Sequence, residues 1–261
     1  MMARGTVPAE TMEFTHDPTG IRGRRAISRH ERQHLLAELR QELVACRLCP
    51  RLVEWRERVA AAKVRRFRDE EYWGRPVPAF GSVDAALLVV GLAPAAHGAN
   101  RTGRMFTGDS SGDWLFRALH RYGWADRPSS VGRRDGLALE GCFITAAVRC
   151  PPPQNKPTRA EIENCRRYLM RELALLRSLH VVVVLGRIAF AAFCDAWTGI
   201  GNSFEGREAA LFRHGAQYPL SGGVTLLSSY HPSRQNTQTG RLTRAMFHRV
   251  FSRARRLLRE T

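Results

Sequence analysis

The sequence predicts an α/β protein: a single three-layer α/β/α domain around a central, mainly parallel, four-stranded sheet. Three observations predict it. Four short apolar runs recur, at residues 85–90, 142–148, 181–185 and 224–228. Segments with helical spacing of apolar residues lie between them. The loops richest in polar residues follow the C-terminal ends of these runs, where open parallel sheets collect ligands.

Residues 1–28 mix Gly, Pro, Thr and Arg without apolar periodicity and read as a disordered basic arm, leaving 29–261 as the folded domain. From 29 to about 62 the pattern is helical, with Leu35, Leu36, Leu39 and Leu43 on one face. Cys46 and Cys49 interrupt it, and Pro50 follows. The run at 85–90 is the first strand; Gly91 and Pro94 end it and open a long polar loop. Residues 110–122 form a helix with Trp114, Leu115 and Leu119 inward. The strand at 142–148 leads to a proline-rich loop. A helix follows over 158–178, with Thr158 as N-cap and Glu161 three residues later. The strand at 181–185 ends at Gly186 and passes into a helix over 187–197. The strand at 224–228 runs straight into Tyr230-His231-Pro232-Ser233. A last helix spans about 242–260, its stripe made by Leu242, Met246, Val250, Ala254 and Leu257, with arginines elsewhere.

Composition narrows the function classes. The 261 residues carry 41 basic against 24 acidic side chains, a net charge of +17, which favours a polyanionic partner, above all nucleic acid. The plainer reading is a basic protein with no such partner. All the basic residues except Lys63 and Lys156 are arginines. No run reaches the 18 or more apolar residues that a membrane helix needs. No apolar segment of a secretory leader follows Met1. A cytoplasmic, DNA-associated protein is therefore expected. In that reducing setting the six cysteines suggest metal or catalysis before disulfides.

The loop after the first strand reads Gly91-Leu-Ala-Pro-Ala and then Gly103-Arg-Met-Phe-Thr-Gly-Asp109. It lacks both the phosphate-loop and the dinucleotide fingerprints. Instead it resembles the first signature motif of the uracil-DNA glycosylase superfamily, and Tyr230-His-Pro-Ser233 is similar to the other. The pair Cys46/Cys49 and the segment from Ala147 to Pro157 narrow the resemblance to family 5, the iron–sulfur branch. Related families carry a carboxylate or amide early in the first motif, at Leu92 or Ala93 here; this chain, like family 5, has neither. The asparagine with which family 4 reads uracil corresponds to Ala146.

The resemblance implies a monofunctional glycosylase that hydrolyses the N-glycosidic bond of uracil and other deaminated bases, hypoxanthine and xanthine among them. Its partner would be double-stranded DNA bearing the damaged base, engaged by a monomer. Gly91, Ala93 and Phe106 would shape the base pocket, with Phe106 as the stacking ring; a core role is the plainer reading. His231 would donate to the departing base. Asp109 would support the sugar cation or orient water, or cap the following helix, or both. Asn155 would read the base edge or place water, with a loop asparagine as the alternative; Asn100 is a weaker candidate. No lysine except Lys156 falls in these motifs, which gives a Schiff-base step little support.

Arg101 and Arg104 are expected to meet phosphates, and Arg234, Gln235 and Asn236 to enter the groove. Cys46, Cys49, Cys150 and Cys165 form a four-thiol set. Their spacing leaves a [4Fe–4S] cluster and zinc both open; the resemblance implies the cluster, acting as a staple. A second function class is a catalytically inactive nucleic-acid-binding iron–sulfur protein, favoured by the missing carboxylate of the first motif and opposed by His231 and Phe106.

Overall fold

A computed structural model describes residues 27–205 and 211–261. The arm expected at 1–28 lies outside the described residues, apart from its last two. Two helices, α1 (Arg29–Ala45) and α2 (Pro50–Ala62), precede the sheet. Strand β1 (Phe80–Gly81), strand β2 (Leu87–Gly91), helix α3 (Ala99–Thr102) and helix α4 (Ser110–Arg121) follow. Then come β3 (Cys142–Ala146), α5 (Arg159–Leu175), β4 (Val181–Leu185) and α6 (Arg187–Gly199). The chain finishes with β5 (Gln217–Leu220), β6 (Val224–Ser229), α7 (Arg234–Gln238) and α8 (Arg244–Leu257).

Among the described residues the sheet has six strands in the order β1-β3-β2-β4-β6-β5. Its four central strands are the expected ones and run parallel, with Val90 opposite both Thr145 and Val184, and Val184 opposite Ser228. The strand count of four is corrected by two short edges, β1 against β3 and β5 against β6, both antiparallel. Edge strands need no long apolar run, because only one side of each is paired and their exposure permits Pro219. The last helix is also shorter than expected: Thr243 caps it, and Leu242 stays outside.

Alternation along the strands builds the three layers. Leu88, Val90, Val182, Val184 and Leu226 face one way, onto α1, α5 and α6. Leu87, Val89, Val181, Val183 and Leu227 face the other way, onto α4 and α8. The start of α5 is a reciprocal cap. Glu161 N–H donates to Thr158 Oγ1 at 3.3 Å, and Thr158 N–H donates to Glu161 Oε2 at 2.7 Å. A buried ion pair, Arg149 with Glu172, anchors the segment after β3, and Thr145 donates to the same carboxylate.

Candidate active site

The segments leaving β2 and β6 meet at the C-terminal edge of the sheet. Between Gly103 and Asp109 the chain turns sharply enough to hold Phe106 at a φ of +53°, which L residues seldom adopt. Two glycines make this possible. A Cβ on Gly112 would lie 1.8 Å from the Phe106 carbonyl oxygen, and one on Gly91 would lie 2.6 Å from Phe106 Cζ. The ring, 7% exposed, stacks on His231 with centroids 6.0 Å apart and planes inclined by 27°.

His231 enters just past β6. Its carbonyl accepts from Asn236 Nδ2 at 2.8 Å, so half-buried Asn236 braces the histidine rather than standing free for DNA. Among the described residues no protein group hydrogen-bonds the His231 ring nitrogens. Burial pushes the imidazole down to about 4, so at neutral pH it is uncharged and keeps one N–H to donate.

Asp109 does cap α4, accepting from the Gly112 N–H at 3.0 Å. Its carboxyl is nonetheless raised, because burial outweighs the N–H groups of Gly112 and Ser111. Arg234, from α7, pulls the other way through space, which puts the second motif within electrostatic reach of the first. Gly98 leaves room for this carboxylate: a Cβ there would lie 2.3 Å from Asp109 Oδ2.

Other expected residues stand elsewhere. Asn155 is exposed on the loop after β3, in a left-handed turn with Gln154 (φ +57° and +56°). Ala93 packs toward the cysteine cluster. Asn100 is fully buried and donates to the Arg75 carbonyl at 2.7 Å. Arg234 and Gln235 are exposed, as a groove-facing role requires.

Arg101 and Arg104 require correction. Both are buried and internally paired, Arg101 with Glu70 and Arg104 with Asp135 at 2.8 Å. Arg101 also lies over the Phe67 ring at 3.8 Å and donates to the His97 carbonyl at 2.8 Å. Burial opposes the charge on Asp135. The Leu137 N–H, Arg104 and the N–H groups of Val131 and Gly132 outweigh it and hold the carboxyl down to about 2. These arginines shape the loop from inside and present no guanidinium to a phosphate.

Two histidines went unnoticed in the sequence. His97, inside the first motif, meets the Tyr72 hydroxyl at 3.1 Å through Nδ1. His214 accepts the Tyr230 N–H at 3.1 Å and stacks on that ring at 5.1 Å, bracing the residue before His231. Position in the glycine-rich loop was the available signal for His97; His214 had none.

The four expected cysteines line one hollow. Cys46 ends α1, Cys49 precedes α2, Cys150 follows β3, and Cys165 lies in α5; Leu52 and Tyr168 complete the walls. Among the described residues no three His, Cys, Asp or Glu side chains are grouped so as to hold a metal ion. Burial pushes the thiols of Cys150 and Cys165 up to about 11 and about 12. The segment leading from β3 to Cys150 is tied to the end of β2: the N–H groups of Ala147 and Val148 donate to the Gly91 and Leu92 carbonyls at 2.9 Å.

Comparison with known proteins places most of the chain. Residues 78–255 match the model of the uracil DNA glycosylase superfamily. The chain is 56% identical over 217 residues to a type-5 uracil-DNA glycosylase of Thermus thermophilus, covering 83% of this chain and 95% of that protein. A type-5 enzyme of Mycobacterium leprae is 49% identical over 223 residues, covering 85% and 95% respectively. A type-4 uracil-DNA glycosylase of Archaeoglobus fulgidus is 32% identical over 162 residues, covering 60% and 70%. By its motifs, its site and these relatives, the chain belongs to the uracil-DNA glycosylase superfamily.

Proposed function

We propose that this protein removes uracil from double-stranded DNA by hydrolysing the N-glycosidic bond, and that it also accepts hypoxanthine and xanthine. The observation that carries the reading is the Phe106–His231 pair, an aromatic face beside a neutral donor at the sheet's ligand edge. A target base must leave the helix stack and find a flat apolar surface together with edge hydrogen bonds. Phe106 supplies the surface. As the C–N bond breaks, the base leaves with the electron pair and the sugar becomes cationic. The His231 N–H stabilises the developing negative charge on the base oxygen. The Asp109 carboxylate faces the cation or orients the water whose oxygen bonds to the sugar; the proton that this water gives up neutralises the departed base anion, and an abasic site is left. Asn155 joins when DNA is bound, reading the base edge or holding that water.

Lys156, the one lysine of these motifs, is exposed and far from a nucleophile's usual buried setting, which supports a monofunctional reaction. A monomer is proposed as the acting form. The four cysteines are proposed to hold a [4Fe–4S] cluster. Four thiols from α1–α2, the loop after β3 and α5 around one hollow suit a cluster's four sulfur ligands, and the family resemblance is what favours the cluster over zinc. Bound there, the cluster would supply a structural tie between α1–α2, α5 and the loop after β3.

Replacing His231 by Ala tests the reading. Loss of base excision with DNA affinity retained supports it. A wild-type protein that binds DNA yet leaves uracil, hypoxanthine and xanthine intact supports the inactive DNA-binding alternative instead.

A further inference from the structure

The cysteine hollow contains a charged group that neither the base pocket nor DNA engagement uses. Arg56, on α2, is 3% exposed. Its Nη1 donates to Cys150 Sγ at 2.9 Å and its Nη2 to the Cys46 carbonyl at 3.1 Å, while Nε has no partner. Among the described residues no carboxylate reaches ion-pair distance of it. Glu57 and Glu161 are engaged by Arg47 and Arg51, and Glu57 feels Arg56 only at longer range.

A buried guanidinium without an anion is costly, and a neutral thiol is a weak acceptor. The arrangement therefore calls for negative charge on the sulfur side. Arg149 lines the same hollow, but Glu172 already balances its charge. Asn164 offers Cys49 a neutral donor at 3.5 Å. Arg56 is the one unbalanced cation among these groups, and it touches both halves of the ligand set.

We propose that Arg56 is a positioning residue of the cysteine centre, joining the N-terminal cysteine pair to Cys150 and setting the charge balance of a [4Fe–4S] cluster held there. The inference rests on the cluster reading given under the proposed function. Reduction adds an electron to an already anionic centre, so a fixed cation at one sulfur favours the reduced form. Hydrogen bonds and net charge around the sulfurs are the terms that set such potentials.

The test uses the full chain, reconstituted anaerobically with iron and sulfide, as wild type, Arg56→Lys and Arg56→Gln. Iron and acid-labile sulfide are counted, and folding is followed by circular dichroism. The midpoint potential is titrated with mediators under EPR, and loss of iron to a chelator is timed. The proposal expects Arg56→Gln to move the potential negative and to lose iron about tenfold faster, with Arg56→Lys between it and the wild type. An Arg56→Gln protein that folds and keeps the wild-type potential and iron retention overturns the proposal and leaves the cluster reading standing. Wild type that takes up no iron with labile sulfide overturns both. If Arg56→Gln does not fold, Arg56→Lys decides: a negative shift supports the proposal, and an unchanged potential and iron retention overturn it.

Discussion

The Phe106 ring occupies the space that a side chain at Gly91 would need, since a Cβ there would lie 2.6 Å from Phe106 Cζ. The last residue of β2 thus sets the position of the aromatic face. Gly91→Ala is expected to displace the ring and lower single-turnover uracil excision by about 10²-fold, the scale of an ångström-sized misplacement. DNA affinity, measured by anisotropy on an undamaged duplex, should stay near wild type.

Asp109 caps α4 and is proposed to serve the chemistry as well, and two substitutions separate these roles. Asp109→Ala removes the cap and should cost about 1 kcal/mol of stability in addition to activity. Asn caps as well as Asp does, so Asp109→Asn should keep the wild-type Tm while excision falls by about 10²-fold or more. Thermal melts beside excision rates decide it; an active Asp109→Asn protein removes the carboxylate from the mechanism.

The pH dependence follows from His231 and Asp109. Above pH 6.5 the imidazole is neutral in both the folded and the unfolded chain. Below it the unfolded chain takes up a proton that the fold, with His231 near 4, refuses. Stability contributed by the buried neutral ring is therefore lost as pH falls from 6.5 toward 4. Denaturant titrations should show this slope in the wild type and a flatter one in His231→Gln. The excision rate should show no limb near pH 6.5. Its acid limb belongs to Asp109 and lies above the ordinary carboxylate range, because burial raises that group.

Arginines of the two motifs should part company in salt titrations. Exposed Arg234→Ala is expected to reduce the slope of log affinity against log salt by about 1, as one lost phosphate contact does. Buried Arg101→Ala should leave that slope unchanged and lower Tm instead, because it removes the cation packed on Phe67 and leaves the His97 carbonyl without its donor.

Much of the frame was legible because it rests on long-lived patterns. The strands containing Val89, Ile144, Val183 and Leu227 announce themselves as apolar runs, and Thr158 with Glu161 is a cap that a spacing rule finds. The edges were not legible: β1 is two residues long, and β5 alternates exposed and buried residues around Pro219. The two motifs that carry Phe106 and His231 were legible, and the fold brings those rings together, but the burial of Arg101 and Arg104 was not legible. Whether Arg101 faces a phosphate or Glu70 depends on contacts 31 residues apart, which no local pattern encodes. His214 was invisible for the same reason, since its partner Tyr230 lies on another segment.

The most direct test is incubation of the purified protein with an end-labelled duplex bearing one uracil opposite guanine, followed by hot alkali. The account predicts a break at the uracil that appears only after alkali, the mark of an abasic site left by a monofunctional glycosylase. An intact strand after alkali, with folded protein reconstituted with iron and sulfide and bound to the duplex, would contradict it.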